Sequence, residues 1–474
     1  MLYCRSTEEG HSLVFSGLTF LLLFLPLLLL LYFLSGNVRW RNGVLVVFSL
    51  IFYAWGEPVM VLLLVGSTAL HYLLAFLIER TARPVLKKLL LALGVTASIG
   101  LLFWFKYAGF LLGEVLGLDF TPPKLPIGIS FYTFQILTYT VDVYRGRVRV
   151  QKNPFRLLLY VSCFPQLIAG PIVQYADVEG ALASRQTTMS DFGLGMRRFF
   201  VGLAKKVLLA NICGKALEQA LPNGAFSFAG AWLCALLYAL QLYFDFSAYS
   251  DMAIGLGRVL GFRYKENFRY PYLSRSASEL WRRWHISLGA FFREYVYFPL
   301  GGSRKGPVRT VLNLFVVWSL TGLWHGAAWN YLLWGVYWFF MLLIDRRIRT
   351  VWERIPSVLR WAFTFVCWLV GLMIFYHTDL GAGFSHVGAM FGIGASGWID
   401  ETSLSVLKQY ALYLPIPILC CLPIVPFMKR QFKEHPRFGS VGRPLAATCA
   451  VLLAVCSLLF LVGQSYNPFI YFRF

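Results

Sequence analysis

The sequence predicts an all-α protein that crosses a membrane several times as a helical bundle. Hydrophobic residues make up 58% of the 474 residues and charged residues only 14%, whereas about a quarter of an average soluble domain is charged. The mean hydropathy is +0.63. Apolar runs near the length of a membrane-spanning helix recur along the chain. They lie at 12–34, 59–77, 89–105, 226–244, 361–375, 407–425 and 445–462.

Basic residues are concentrated in the short loops between the apolar runs. The formal net charge of +21 would suggest a nucleic-acid partner in a soluble protein. Here the distribution follows the pattern of cytoplasmic loops in membrane proteins, so we expect membrane lipid and no nucleic acid as a partner. The same rule places the N-terminus and the C-terminus outside. The basic loops lie at 39–41, 80–88, 145–156, 258–309, 346–360 and 429–443.

Three further segments, at 125–143, 155–173 and 199–221, are too short or too polar to cross a bilayer. We interpret them as re-entrant or interfacial helices. Irregular backbone at membrane depth is tolerated only where protein or a water-filled cavity surrounds it. An internal cavity is therefore expected within a single integral membrane domain, 1–474, of which 464–474 forms an extracytoplasmic aromatic tail.

One histidine, His325, lies in the middle of an apolar segment. A charged residue at a helix centre costs about 2.5 to 3.5 kcal/mol, so ionisable residues there usually face a cavity. Gly322 and Gly326 form a pair that lets a helix or a ligand approach closely, and Trp324 and Asn330 would supply a wall and a polar contact. An imidazole suits proton abstraction from a hydroxyl. The alternative is a structural histidine that donates to a backbone carbonyl.

A second histidine, His285, lies in a predicted amphipathic helix at the inner membrane surface. Ser276 and Glu279 have the spacing of a capping box, and Trp281 and Trp284 begin an aromatic stripe at helical spacing. His285 follows Trp281 by four residues and therefore shares its inward face. Catalysis and a buried, hydrogen-bonded structural role both remain open. Nine cysteines without a C-x-x-C pair predict no metal site.

Two carboxylates, Asp245 and Asp251, occur in an aromatic and otherwise apolar context. Such groups can orient a histidine or carry a proton in a buried site. The alternative is helix capping or pairing with a nearby arginine. We include both aspartates among the residues expected to line the site.

Five motifs in this order resemble the membrane-bound O-acyltransferases, and among them the bacterial alginate O-acetylation branch. They are SFYTFQILTYTVD at 130–142, FPQLIAGP at 164–171, YFDFSAYSD at 243–251, WRRWH at 281–285 and LWHG at 323–326. The resemblance implies helices around a central tunnel in a bacterial inner membrane. It also implies that His325 is the catalytic histidine and His285 a second polar residue of the tunnel.

The resemblance further implies an O-acyltransferase that acetylates an exported polysaccharide such as alginate. Its donor would be acetyl-CoA, another acyl-CoA or an acyl-carrier thioester, with no bound cofactor. The basic segment 258–309 would attract the phosphates of that donor. The expected partner is a periplasmic SGNH-type acetyltransferase or a similar acyl acceptor protein.

The C-terminal sequence Phe469-Ile-Tyr-Phe-Arg-Phe474 resembles an aromatic, tyrosine-containing motif. In the related teichoic acid D-alanylation system, a separate small protein carries that motif. The resemblance implies that Tyr471 receives the acyl group after deprotonation by His325, and a phenol ester is activated enough for a relay. The alternative is a plain aromatic anchor at the membrane interface.

Two alternatives to polysaccharide acetylation stay open at the level of sequence. One is D-alanyl or other acyl transfer to teichoic acid, peptidoglycan or a lipid. The other belongs to a different class, a proton-coupled transporter or flippase, because buried histidines also serve proton relays. The absence of an evident inverted repeat in the sequence speaks against a transporter.

Overall fold

The computed structural model describes residues 13–222, 224–434, 436–463 and 469–470, and these residues form helices and no strand. The all-α prediction is confirmed. The described chain divides into two compact units. The first comprises 13–203, 249–265, 458–463 and 469–470, and the second comprises 204–222, 224–248, 266–434 and 436–457.

The first unit is organised around a buried aromatic core. Phe15 packs on Phe20 at 4.9 Å between ring centroids, and Phe24 meets Phe164 edge-on at 5.5 Å. The helices that contribute to this unit in the first part of the chain are Phe20–Phe24, Leu25–Phe33, Val38–Gly56, Met60–Arg80, Pro84–Leu102, Phe103–Tyr107, Gly109–Val115, Ile129–Tyr144, Pro154–Ser162, Phe164–Leu167, Tyr175–Ala183 and Met189–Ala204.

The second unit begins in a π-helical turn and shares the long helix Phe228–Val259 with the first unit, to which residues from Tyr249 onward belong. The last helix, Pro436–Val462, is shared in the same way. The remaining helices of the second unit are Lys205–Ala210, Asn211–Ala220, Pro271–Leu273, Ala277–Arg283, Ile286–Phe292, Arg293–Tyr297, Pro307–His325, Trp329–Arg347, Arg349–Trp352, Ser357–Tyr376, Leu380–Met390, Glu401–Gln409, Pro415–Cys420 and Ile424–Glu434.

Four described helices are long and apolar enough to cross a membrane: Met60–Arg80, Pro84–Tyr107, Phe228–Val259 and Ser357–Tyr376. They match four of the predicted spans. The predicted span at 407–425 is wrong. The helix Glu401–Gln409 ends near the start of this range, and the short helices Pro415–Cys420 and Ile424–Glu434 follow it. Proline has no N–H to donate and cannot continue a helix. The three prolines that interrupt this apolar run are Pro415, Pro417 and Pro423.

The short segments predicted to be re-entrant or interfacial are indeed short or irregular helices. Ile129–Tyr144 has 16 residues, about 24 Å of helix, which is less than the hydrocarbon thickness of about 30 Å. Protein surrounds nearly all of its side chains. The predicted segment 199–221 contains the π-helical turn Lys205–Ala210, a type of irregularity that is frequent at functional sites.

Candidate active site

His325 is the last residue of the helix Pro307–His325, which forms a tight hairpin with Trp329–Arg347. His325 therefore lies at the end of a helix. Its position in the middle of an apolar segment had instead suggested a place within a helix. The two helices touch along glycines. A Cβ at Gly322 would overlap the carbonyl oxygen of Tyr331, and one at Gly335 would overlap the carbonyl oxygen of Trp318. The predicted close approach at Gly322 is confirmed, and its neighbour is the next helix.

Gly322→Ala should therefore destabilise the hairpin that carries His325. The added methyl group forces the two backbones apart, at a cost of about 1 to 3 kcal/mol. Thermal unfolding of the purified protein in lipid nanodiscs measures this effect. Gly289→Ala is the matched control, because the nearest atom to its Cβ is 3.8 Å away. Equal unfolding temperatures for the two variants would contradict the close contact.

Aromatic rings surround the His325 side chain, which is 8% exposed. Trp324 and Trp334 meet its ring edge-on at 4.9 and 5.1 Å between centroids, and Phe375 does so at 5.2 Å. Asn330 donates from Nδ2 to the carbonyl oxygen of Phe375 at 3.0 Å. Asn330 thus fixes one wall of the imidazole site, and the rings hold His325 in an environment of low polarity.

The amphipathic helix predicted around His285 is broken at this residue, which corrects the prediction of one continuous helix. The chain forms the helices Ala277–Arg283 and Ile286–Phe292. Between them His285 has a φ of 46°, in the left-handed region that non-glycine residues seldom adopt. The predicted N-cap is confirmed, since Ser276 Oγ accepts from the Glu279 amide at 3.2 Å. Strain of this kind clusters at functional sites.

Asn267 holds the break in place. Its Oδ1 accepts from the backbone N–H of Ser287 at 3.1 Å and from the Ser287 hydroxyl at 2.9 Å. Because a backbone N–H can only donate, these bonds identify Oδ1 as the acceptor. The same atom lies 3.3 Å from Nδ1 of His285, so Nδ1 carries the proton and donates.

The tautomer fixed by Asn267 leaves Nε2 of His285 as the basic nitrogen. Nε2 is buried and has no hydrogen-bond partner among the described residues. The segment that contains His285 lies outside the four spans, and burial lowers the pKa of this histidine to about 3. His285 is therefore a neutral base at physiological pH. Sequence reasoning missed Asn267, because a single asparagine in a basic loop carries no distinguishing pattern.

One indole joins the two predicted histidines. The ring of Trp324 lies 5.8 Å from the His285 ring and 4.9 Å from the His325 ring, between centroids. Phe246 packs edge-on against His285 at 4.7 Å. Trp284 belongs to a neighbouring aromatic cluster and packs on Trp368 at 4.9 Å. The structure thus brings His285, His325 and Trp324 together.

Both predicted aspartates are paired with cations: Asp251 pairs with an arginine, an alternative that the sequence had left open, and Asp245 pairs with a lysine. In the second unit, Lys206 Nζ lies 2.6 Å from Asp245 Oδ1, and both side chains are almost fully buried. In the first unit, Arg198 lies 2.7 Å from Asp251. Sequence reasoning missed Lys206, although a lysine within the predicted re-entrant or interfacial segment 199–221 was a usable signal. Tyr471 lies outside the described residues.

The described residues thus form a helical membrane protein in which two buried histidines pack against one indole. The model of the membrane-bound O-acyltransferase family, MBOAT, matches residues 145–378. This chain belongs to the membrane-bound O-acyltransferase family and is an O-acyltransferase. The matched region includes both histidines.

Similar proteins transfer acyl groups to several polymers. The chain is 39% identical to the probable alginate O-acetylase of Pseudomonas putida, over 98% of this chain and 100% of that protein. It is 31% identical to the peptidoglycan O-acetyltransferase of Helicobacter pylori, over 98% of each. It is 28% identical to the teichoic acid D-alanyltransferase of Bacillus subtilis, over 44% of this chain and 56% of that protein.

Proposed function

We propose that this chain takes an acetyl group from a cytoplasmic thioester and delivers it across a bacterial inner membrane for O-acetylation of an exported polysaccharide such as alginate. The observation that carries the proposal is full-length similarity, at 39% identity, to a probable alginate O-acetylase. The D-alanyltransferase matches only 44% of this chain. Acetyl transfer is therefore favoured over D-alanyl transfer.

His325 acts as the general base in the proposed mechanism. As its imidazole takes the proton of a hydroxyl, the hydroxyl oxygen attacks the carbonyl carbon of the thioester. The C–S bond then breaks, and the leaving thiolate takes the proton from the imidazolium. The products are an ester and a free thiol, and His325 returns to its neutral form. The aromatic enclosure of His325 favours this role, because it excludes water that would hydrolyse the thioester.

The thioester donor is proposed to be acetyl-CoA, attracted by the basic segment 258–309. Part of the positive charge in this segment is neutralised, since Asp191 pairs with Arg258 and Arg263. The exposed cations that remain for a phosphate-bearing donor are Arg269, Arg275, Arg282, Arg293, Arg304, Lys305 and Arg309. Their concentration between positions 269 and 309 supports a cytoplasmic location of this region by the positive-inside rule.

Tyr471 is proposed to carry the acetyl group on the outer side. Its phenol would be the hydroxyl that His325 deprotonates, and the resulting aryl ester is activated for a second transfer. A separate periplasmic acetyltransferase of the SGNH type would then move the acetyl group to the polysaccharide. Charge distribution supports this topology, because the last basic loop, 429–443, precedes a single apolar stretch and thus directs the tail outward.

Incubation with isotopically labelled acetyl-CoA should place the label on Tyr471. The purified full-length protein is incubated in nanodiscs and analysed by peptide mass spectrometry, with Tyr471→Phe as the control that keeps the aromatic ring. We expect labelled Tyr471 in the wild type and loss of polysaccharide acetylation in the variant. Release of CoA without label on the protein would indicate direct transfer and contradict the carrier role. If the Tyr471→Phe variant still supported full acetylation of the polysaccharide, the tail would serve only as an aromatic attachment at the membrane interface.

A further inference from the structure

The aromatic side chain of Phe469, near the C-terminus, is buried in the core of the first unit. Phe469 is 1% exposed, and its ring meets the ring of Tyr249 edge-on at 5.1 Å between centroids. Tyr249 in turn stacks on Phe15 at 4.8 Å. We call Tyr249, which contacts Phe469, together with the Phe15 ring that stacks on Tyr249, the tail socket.

The tail socket is a rigid receptor, because the aromatic core of the first unit supports it. Phe15 also packs against Phe20 and Phe52, at 4.9 and 5.6 Å between centroids. Well-packed aromatic clusters of this kind hold each ring in one orientation. The tail socket therefore provides a defined binding position for the ring of Phe469.

Burial is not general at this end of the chain. The last helix exposes 50% of Phe460 and 72% of Val462, as expected of side chains that face lipid. Phe469 comes only seven residues after Val462, yet its side chain is withdrawn into protein. Leu461 of the same helix is buried, so this helix has one exposed and one buried side, and Phe469, which we call the anchor, is a further point at which the chain beyond it is held in protein.

The anchor lies two residues before the proposed acyl carrier. Each residue of a fully extended chain spans at most about 3.3 to 3.6 Å. The backbone of Tyr471 therefore stays within about 7 Å of the backbone of Phe469. A bound Phe469 would limit the reach of Tyr471 to this distance, and a limited reach raises the effective concentration of a tethered group.

We propose that Phe469 is the positioning residue of the acyl carrier. It binds the tail socket and thereby presents Tyr471 for acylation as a tethered substrate. The inference rests on the proposed carrier function of Tyr471. It adds that recognition of the tail is separate from its chemistry: Phe469 contributes binding and Tyr471 contributes the nucleophile. The described tail residues 469–470 accordingly belong to the first unit.

The first test is the rate at which labelled acetyl-CoA acetylates Tyr471 in full-length variants in nanodiscs. Phe469→Ala should lower this rate about tenfold or more, as expected from the loss of a buried aromatic side chain. Phe469→Leu should restore part of it. Ile470→Ala is the matched control, because Ile470 is only half-buried, and its rate should stay within about twofold of the wild type.

The second test separates binding from chemistry. The full-length double variant Phe469→Ala and Tyr471→Phe receives synthetic peptides of residues 465–474, with either Phe or Ala at position 469. Both peptides should be acetylated on Tyr471 at the same limiting rate. The half-saturating concentration should be about ten- to a hundredfold higher for the Ala peptide.

The outcomes distinguish the anchor from the carrier. If Tyr471 is never acetylated in the wild type, the carrier proposal fails and the inference fails with it. If Tyr471 is acetylated equally fast in the wild type and in Phe469→Ala, the carrier stands and the anchor alone is overturned. A lower limiting rate with unchanged half-saturation of the peptide would also overturn the anchor, because it would assign Phe469 to the chemical step.

Discussion

Replacement of His325 by glutamine should lower the rate of acetyl transfer by about a hundred- to ten-thousandfold, the usual contribution of a positioned general base. Glutamine keeps a polar side chain of similar size among Trp324, Trp334 and Phe375, so the hairpin should remain folded. It cannot take up a proton at neutral pH. Initial rates of CoA release and of acetyl-ester formation in nanodiscs measure the effect, and the unfolding temperature checks the fold.

His285→Gln is the matched control for this prediction. Both histidines are buried and both contact Trp324, so the two substitutions disturb similar surroundings. We expect a smaller loss of rate for His285→Gln than for His325→Gln. A larger loss of rate for His285→Gln than for His325→Gln would assign the general-base role to His285. This role is open to His285 because its hydrogen bond to Asn267 leaves Nε2 as a basic nitrogen. A rate for His325→Gln within tenfold of the wild type would remove the general-base assignment.

Sequence alone could single out two histidines that the structure brings to one indole, but not the geometry around them. An ionisable side chain within an apolar pattern stands out in one dimension, and this signal found His285 and His325. The left-handed turn at His285 depends on Asn267, a residue 18 positions away, and helical periodicity continues through the turn without interruption. Local patterns therefore predicted one helix where a side chain from another segment holds a break.

The fold could be predicted to a similar extent. Hydropathy identified the four long spans because lipid-facing side chains must be apolar. Hydropathy wrongly predicted a span at 407–425, because this run is apolar but contains prolines that interrupt a continuous helix. It also could not show that protein encloses Ile129–Tyr144, because the sequence left protein and a water-filled cavity equally open as the surroundings of this segment. The composition of a segment shows that it is shielded from water, but it does not show whether lipid or protein surrounds it.

Loss of Lys206 should destabilise the protein strongly. Lys206 Nζ lies 2.6 Å from Asp245 Oδ1, and the two side chains are 3% and 2% exposed. Lys206→Met leaves the carboxylate of Asp245 buried beside an apolar chain, and removal of one partner of a buried ion pair costs about 3 to 5 kcal/mol. We expect a large fall in unfolding temperature and in the folded fraction after detergent extraction. Lys205→Met, at the neighbouring half-buried position, is the control.

The double variant Lys206→Met and Asp245→Leu should recover most of this stability, because two apolar side chains of similar volume replace a buried ion pair at little cost. Its activity then decides what the pair is for. A stable and active double variant would make the pair purely structural, which is the alternative that the sequence left open for Asp245. A stable but inactive one would show that the charges serve the reaction. Failure of the second substitution to restore stability would mean that the loss in Lys206→Met arises from packing and not from an uncompensated charge.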